Sequence, residues 1–162
     1  MRIVPDDLTA PAVRDLIAEH LDEMYATSPA ESVHAMPLAA LESPDVTVWS
    51  AWDGDEVLGC GALKHLEDAH GEIKSMRTHR AARGQGVGAA ILATILAEAS
   101  ARGYRRVSLE TGSQDHFAPA RRLYARHGFE ECPPFADYTE DPNSVFMTRQ
   151  LTPEAPEAPH DR

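Results

Sequence analysis

Hydrophobic positions change period several times along the chain, and each change marks an element. Val13, Leu16, Ile17, Leu21 and Met24 recur at the three-and-four spacing of a helix face, with Thr9 as candidate cap and Pro11 in the first turn. Ser28-Pro29 stops this helix. Glu31–Met36 reads as a short second helix, which Pro37 delimits and Leu38–Leu41 could extend. After Pro44 the period falls to two. Val46–Trp52 is a strand, Asp53-Gly54 a tight turn and Glu56–Lys64 the antiparallel partner in a hairpin. Gly59, Cys60, Gly61 and Ala62 give that second strand small side chains, so something large packs across it or lies close to its backbone.

Glu72–Thr78 is the third strand, with Ile73, Ser75 and Arg77 on one face and Glu72, Lys74, Met76 and Thr78 on the other. Neither face is cleanly apolar, which suits a strand lining a site. The Arg- and Gly-rich turn Arg80–Gly88 leads into a helix with the stripe Val87, Ile91, Leu92, Ile95 and Leu96, stopped by Gly103. Arg106–Thr111 is a strand, and Pro119 opens a helix carrying Leu123 and Tyr124 that Gly128 ends. Phe129–Cys132 and Val145–Leu151 form a last strand pair around the loop 133–143. This order predicts an α/β fold over residues 1–151, a mixed sheet with helices packed on it. Residues 152–162 carry Pro153, Pro156 and Pro159 among Ala and Glu and are expected to be a disordered tail.

Composition narrows the function. The chain's 162 residues suffice for one proper core. Lys and Arg number 15 against 26 Asp and Glu, a net charge of −11, which disfavours nucleic acid and anionic membrane as partners. No window approaches the ~18 apolar residues of a membrane span, and Asp6 and Asp7 are unlike a signal peptide. A cytoplasmic protein is expected. Cys60 and Cys132 lack a CxxC partner or a nearby ligand cluster, so they read as buried thiols and no metal is expected.

Arg83-Gly84-Gln85-Gly86-Val87-Gly88 lies between a strand and a helix. Glycines there let several backbone N–H groups converge, and the helix N-terminus adds partial positive charge, so the turn is an anion cradle. As Gly84-x-Gly86-x-x-Ala89 it also fits a dinucleotide fingerprint, with Glu110 as the ribose acceptor of an NAD-binding oxidoreductase. Against this, Thr78–Ala82 intervene before the first glycine, and the roughly 70 residues that follow cannot build two mononucleotide halves. A triphosphate loop fails because no Gly-Lys-Ser/Thr follows.

Arg83-x-x-Gly86-x-Gly88 after a strand resembles the pyrophosphate-binding motif of the GCN-related N-acetyltransferase (GNAT) superfamily. Ala120-x-x-Leu123-Tyr124-x-x-x-Gly128-Phe129 resembles that family's later helix and following strand. Glu31–Ala35, Gly59–Lys64, Gly71–Thr78, Ser108–Ser113 and Pro134–Tyr138 are similar to the YsnE-like bacterial N-acetyltransferases. The resemblance covers residues 1–151 and implies a mostly antiparallel central sheet flanked by helices. It also implies acetyl-CoA as acyl donor and an amine of a small molecule as acceptor, and it is compatible with a homodimer. Many relatives carry an Asn that bonds the pantetheine arm where this chain has Phe117.

Acyl transfer needs a polarised carbonyl, a neutral amine and a protonated leaving sulfur. By the resemblance, Glu72–Thr78 splays from its neighbour, offers pantetheine a β-like edge and polarises the acetyl carbonyl with the N–H near Met76. The cofactor-binding set is then Met76, Arg77, Thr78, Arg83, Gly84, Gln85, Gly86, Val87 and Gly88. Tyr124 matches the family's sulfur-protonating tyrosine; the bland alternative is a core aromatic. Glu72 is the first choice of base, with His70 and His34 as rivals. Lys64 and Arg77 suit a carboxylate on the acceptor, or equally pair with Glu72 and Glu110. Glu31, His34, Lys64 and Glu110 are the candidate substrate residues. A non-catalytic acyl-CoA sensor is the alternative function.

Overall fold

Four helices and seven strands occupy residues 1–67 and 69–152, which the computed structural model describes. In chain order they are β1 (Arg2–Asp6), α1 (Pro11–Thr27), α2 (Leu38–Leu41), β2 (Val46–Asp53), β3 (Glu56–Glu67), β4 (His70–Thr78), α3 (Val87–Ala101), β5 (Arg106–Gly112), α4 (Ala118–Arg126), β6 (Glu130–Glu131) and β7 (Ser144–Gln150). Of the expected tail, all but Thr152 lies outside the described residues. No helix among them is long and apolar enough to cross a membrane.

The strands make one sheet, ordered β1-β2-β3-β4-β5-β7-β6. Every pairing is antiparallel except β4 with β5. This is the mixed, mostly antiparallel sheet expected, and it excludes the parallel doubly wound sheet of a dinucleotide fold. Arg2–Asp6, to which the sequence pattern assigns no element, is an edge strand: Pro5 has no N–H to give a ladder, and β1 pairs only with β2. Two local expectations need correction. Thr9 does not cap α1, because its hydroxyl donates to Asp7 Oδ1 at 2.6 Å and Ala10 takes the cap position. Residues 31–36 form no helix. A 3₁₀ turn over Ala30–Ser32 gives way to extended chain before Pro37, whose ring disfavours helix in the residue ahead of it.

The sheet separates two apolar layers. On one side α3 sets Val87, Ile91, Leu92 and Ile95 against the sheet, together with Leu109, Tyr124 and Phe129. Full burial of such a side chain contributes roughly 1.5–3 kcal/mol. On the other side Val13, Leu16 and Ile17 of α1 meet Leu41, Val48 and Ala62. The small residues of β3 admit α3. A Cβ on Gly61 would lie 2.6 Å from Met76 Sδ and 2.8 Å from Ile91 Cγ2, and one on Gly59 would lie 2.7 Å from the Arg77 carbonyl oxygen. Cys60 is buried, which pushes its thiol up to about 12, whereas Cys132 is only half-buried.

The feature that makes a site is a β-bulge. Cys60 pairs with Arg77 and Ala62 with Lys74, so Gly61 alone faces both Ser75 and Met76. Ser75 takes φ 54°, in the left-handed region. The extra residue breaks the expected alternation. Glu72, Lys74 and Arg77 face α1, while Ile73 and Met76 face α3. It also bends β4 away from β5. Their ladder runs only from His70↔Arg106 to Glu72↔Ser108, and beyond it the two strands diverge into a gap.

We predict that Gly59→Ala loses about 1–3 kcal/mol of stability, because its methyl group meets backbone that cannot rotate aside. Urea denaturation measures this; wild-type stability would mean that β4 can shift without cost.

Candidate functional site

A cavity of about 540 Å³ occupies the gap between β4 and β5. Its first limb is built from the turn 83–88, the start of α3, Thr78 and the α4 residues Pro119, Leu123 and Tyr124. Gly84 and Gly86 both have φ +79°, and a Cβ on either would meet nothing within 4 Å. The turn is therefore held in a glycine conformation with its backbone open to the cavity. Gly86 is the N-cap of α3 and offers no side chain to the first-turn amides, which stay available to an anion. Eight of the nine residues expected to bind the cofactor line the cavity. Gln85 does not: its amide is turned back toward Ala81 O, at 3.5 Å. Phe117 closes the limb near the end of β5, its ring lying against Gly112 where a Cβ would collide with it. The wall there is apolar.

Tyr124 sits where the limbs meet. It belongs to the layer under α3, packed edge-on to Phe129 with ring centroids 5.8 Å apart, yet it lines the cavity. Burial, with the Glu110 carboxylate nearby, raises its phenol well above the ordinary value. It is thus a neutral O–H donor over the whole physiological range.

The second limb lies under α1 and is polar. Glu72, only 3% exposed, accepts from Tyr138 Oη at 2.5 Å and from Lys74 Nζ at 3.2 Å. Lys74 Nζ also donates to Tyr138 Oη at 2.9 Å and to the His34 carbonyl at 3.2 Å, which uses all three of its protons. His34 packs edge-on to Tyr138 with centroids 5.0 Å apart, and burial and Lys74 lower its pKa. Four of the stretches quoted for the resemblance converge on this limb, namely 31–35, 71–78, 108–113 and 134–138. Arg77 is ion-paired with Glu23 of α1, which also lies 3.9 Å from Arg83 and from His116. Burial alone would raise the Glu23 carboxyl, but Arg77 outweighs it and holds the group below its usual range.

Several expected residues lie elsewhere. Lys64 sits one strand away from the gap, opposite Glu72 in register, and does not line the cavity. Glu31 is exposed, because the 3₁₀ turn points its neighbour Ser32 inward to donate to Asp141 Oδ2 at 2.6 Å. His70 is buried below the cavity, bonded to Ser108 Oγ at 2.7 Å and accepting from Arg106. Lys74, Tyr138, Glu23, His20 and Asn143 were not singled out from sequence. Lys74 and Tyr138 stood in the quoted stretches; His20 and Glu23 are polar positions three apart on α1 and carried no separate signal. No group of three or more His, Cys, Asp or Glu able to hold a metal occurs among the described residues.

Residues 11–129 match the acetyltransferase (GNAT) family model. Over 151 residues the chain is 56% identical to the uncharacterized N-acetyltransferase YsnE of Bacillus subtilis, covering 93% of this chain and 100% of that one. It is 49% identical over 149 residues to the uncharacterized N-acetyltransferase YedL of Escherichia coli, covering 92% and 94%. An acyl-CoA N-acyltransferase structure from Klebsiella pneumoniae superposes with TM-score 0.75 at 32% identity, covering 93% of this chain and 97% of that one.

Glu23→Gln leaves the Arg77 guanidinium buried without its counter-charge, and we predict a loss of about 3 kcal/mol. Because the folded Glu23 carboxyl titrates below its usual 4.5, its contribution is complete above that pH and fades as the pH falls through the lower folded value. The stability difference between wild type and variant, measured by urea denaturation, should therefore be full at neutral pH and shrink in acid. A difference that stays constant down to pH 3 would contradict the assignment.

Proposed function

The chain belongs to the acetyltransferase (GNAT) family and is an acetyl-CoA-dependent N-acetyltransferase, and on that premise we propose that it acetylates a small-molecule amine by direct attack on the thioester. The observation that carries this reading is the gap itself. One cavity joins an anion cradle at one end to a polar limb at the other, with a buried phenol between them.

In this reading the amides of the turn 84–88 and the start of α3 hold the pyrophosphate. Past Glu72 the edge of β4 has no ladder to β5, so its backbone is the partner for the pantetheine amides, and the Met76 N–H polarises the acetyl carbonyl. Phe117 gives the arm an apolar contact in place of an amide. Tyr124 supplies the sulfur's proton: it is protonated, buried and at the junction of the limbs. The acceptor enters beneath α1. Among the described residues the cations near a carboxylate there are already engaged, since Lys64 is outside, the Arg77 charge is paired with Glu23 and Lys74 has no spare proton. An amine without a carboxylate beside it is the better fit.

Acetyl-CoA at 100 times its Kd should stabilise the protein by ~2.7 kcal/mol, seen as a rise in Tm. In Gly86→Val the side chain stands in the cradle, so this rise should vanish, while strain at the left-handed position costs the apo protein about 1–2 kcal/mol. An undiminished rise would remove the cradle assignment.

Tyr124→Phe keeps the ring's packing and deletes one hydroxyl. It should lower kcat by roughly 10²–10⁴-fold with CoA affinity intact, measured by thiol release with phenethylamine, putrescine and phenylalanine as acceptors. Wild-type turnover where chemistry limits the rate would leave Tyr124 as a packing residue.

A further inference from the structure

An amine that arrives as an ammonium ion must lose a proton before its nitrogen can attack a carbonyl carbon. Six carboxyl or imidazole side chains line the cavity among the described residues: His20, Glu23, His34, Glu72, Glu110 and His116. His116 is 40% exposed at the α4 end, 3.9 Å from Glu23, and four of the others are compromised. Glu23 is paired with Arg77, and both Tyr138 and Lys74 bond Glu72. Burial and Arg77 push His20 down to about 4, and its Nδ1 is sealed from the cavity with no partner. His34 lies edge-on to Tyr138 beside Lys74.

Glu110 differs. It stands on β5 just past the last rung of the β4–β5 ladder, on the α1 face, and has no ion-pair partner among the described residues. We propose that Glu110 receives the acceptor's ammonium group and takes its proton, acting as the general base opposite Tyr124 across the gap. This rests on the acetyl-transfer reading above and replaces Glu72 as base.

The groups around Glu110 are Lys74 and Glu72 on β4, Asp141 in the loop before β7, the Ser144 hydroxyl and Tyr124 on α4. Burial dominates and raises the carboxyl to about 7; Ser144 and Lys74 oppose the rise, and Glu72 and Asp141 add to it. A base balanced near neutrality can both accept a proton from an ammonium and return it to water. The acceptor nitrogen loses two protons as the amide forms. Glu110 takes the first and passes it to solvent. As the C–N bond forms and the C–S bond breaks, Tyr124 protonates the sulfur and regains its own proton from the nitrogen. One thioester and one ammonium yield one amide, one thiol and one released proton.

The test compares kcat/KM against pH for wild type, Glu110→Gln and Glu72→Gln, using acetyl-CoA and phenethylamine. Because Glu110 must be ionised, wild-type kcat/KM should climb with pH and level off above about 7. Glu110→Gln should lose roughly 10²–10⁴-fold and that acidic limb, with CoA affinity kept; Glu72→Gln should retain the limb. A limb unchanged in Glu110→Gln overturns the base assignment, as does a fall in Tm with no change in the pH profile. A second measurement needs no turnover. In the CoA complex labelled with ¹³C-carboxyl glutamate, the resonance missing from Glu110→Gln should titrate near 7, and a midpoint near the ordinary 4.5 overturns the proposal. Wild-type protein that binds acetyl-CoA and acetylates no amine sinks the transfer reading itself, whereas transfer that survives in Glu110→Gln sinks only the base.

Discussion

One extra residue in β4 sets the rest of the structure. Placing Ser75 and Met76 together opposite Gly61 puts Ser75 into a left-handed conformation, which costs a non-glycine residue about 1–3 kcal/mol and persists only where its surroundings insist on it. They do so from both faces. Met76 packs into the layer beneath α3, and Arg77 is tied to Glu23 of α1. Had the alternation run on, Met76 would have met α1 and Arg77 the apolar underside of α3. The bulge thus satisfies two incompatible side chains at once, and the bend that results opens the gap from β5.

The charges beneath α1 follow from that arrangement. Glu72 and Arg77 are almost fully buried, and buried ions are tolerated only when paired. Such pairs add little net stability, but they fix position. Lys74, Glu72 and Tyr138 tie β4 to the loop 133–143, and Glu23 ties α1 to β4 while lying near the cradle turn through Arg83. The walls of the polar limb are thereby held by charge pairs and hydrogen bonds, which already engage the charges of Lys74 and Arg77.

The periodic elements were legible in the sequence because their signals are local. The α1 and α3 stripes, the Asp53-Gly54 hairpin and the glycine turn each carry their cause within a few residues. β1 was missed because Pro5 reads as loop until the sheet supplies an edge, and 31–36 is not the expected helix because Pro37 disfavours helix in the residue ahead of it as well as ending one. The site was half legible for the same reason. The cradle is a local motif, and five of its six residues line the cavity. The polar limb is assembled from α1, β4, β5 and the loop before β7, and the bulge that decides which side chains of β4 face it depends on register with β3. Strict alternation placed Arg77 with Ile73; the shift in register after Lys74 moves Arg77 to the face that Glu72 and Lys74 already share.

A continuous sheet keeps the groups on its two faces apart, since a strand's backbone lies between them. Leu109 and Glu110 are chain neighbours on opposite faces of β5. Leu109 packs in the layer that holds Tyr124, and Glu110 lies beneath α1. Had β4 stayed paired with β5 to its end, backbone would have filled the space that now joins those layers. Because the ladder stops at Glu72↔Ser108, a phenol from one layer and a carboxylate from the other line a single cavity. Burial raises both groups, the phenol staying a donor and the carboxyl moving toward neutrality. A proton donor and a proton acceptor of such unlike strength can thus share one cavity without forming an ion pair, the phenol staying protonated while the carboxyl exchanges its proton near neutrality.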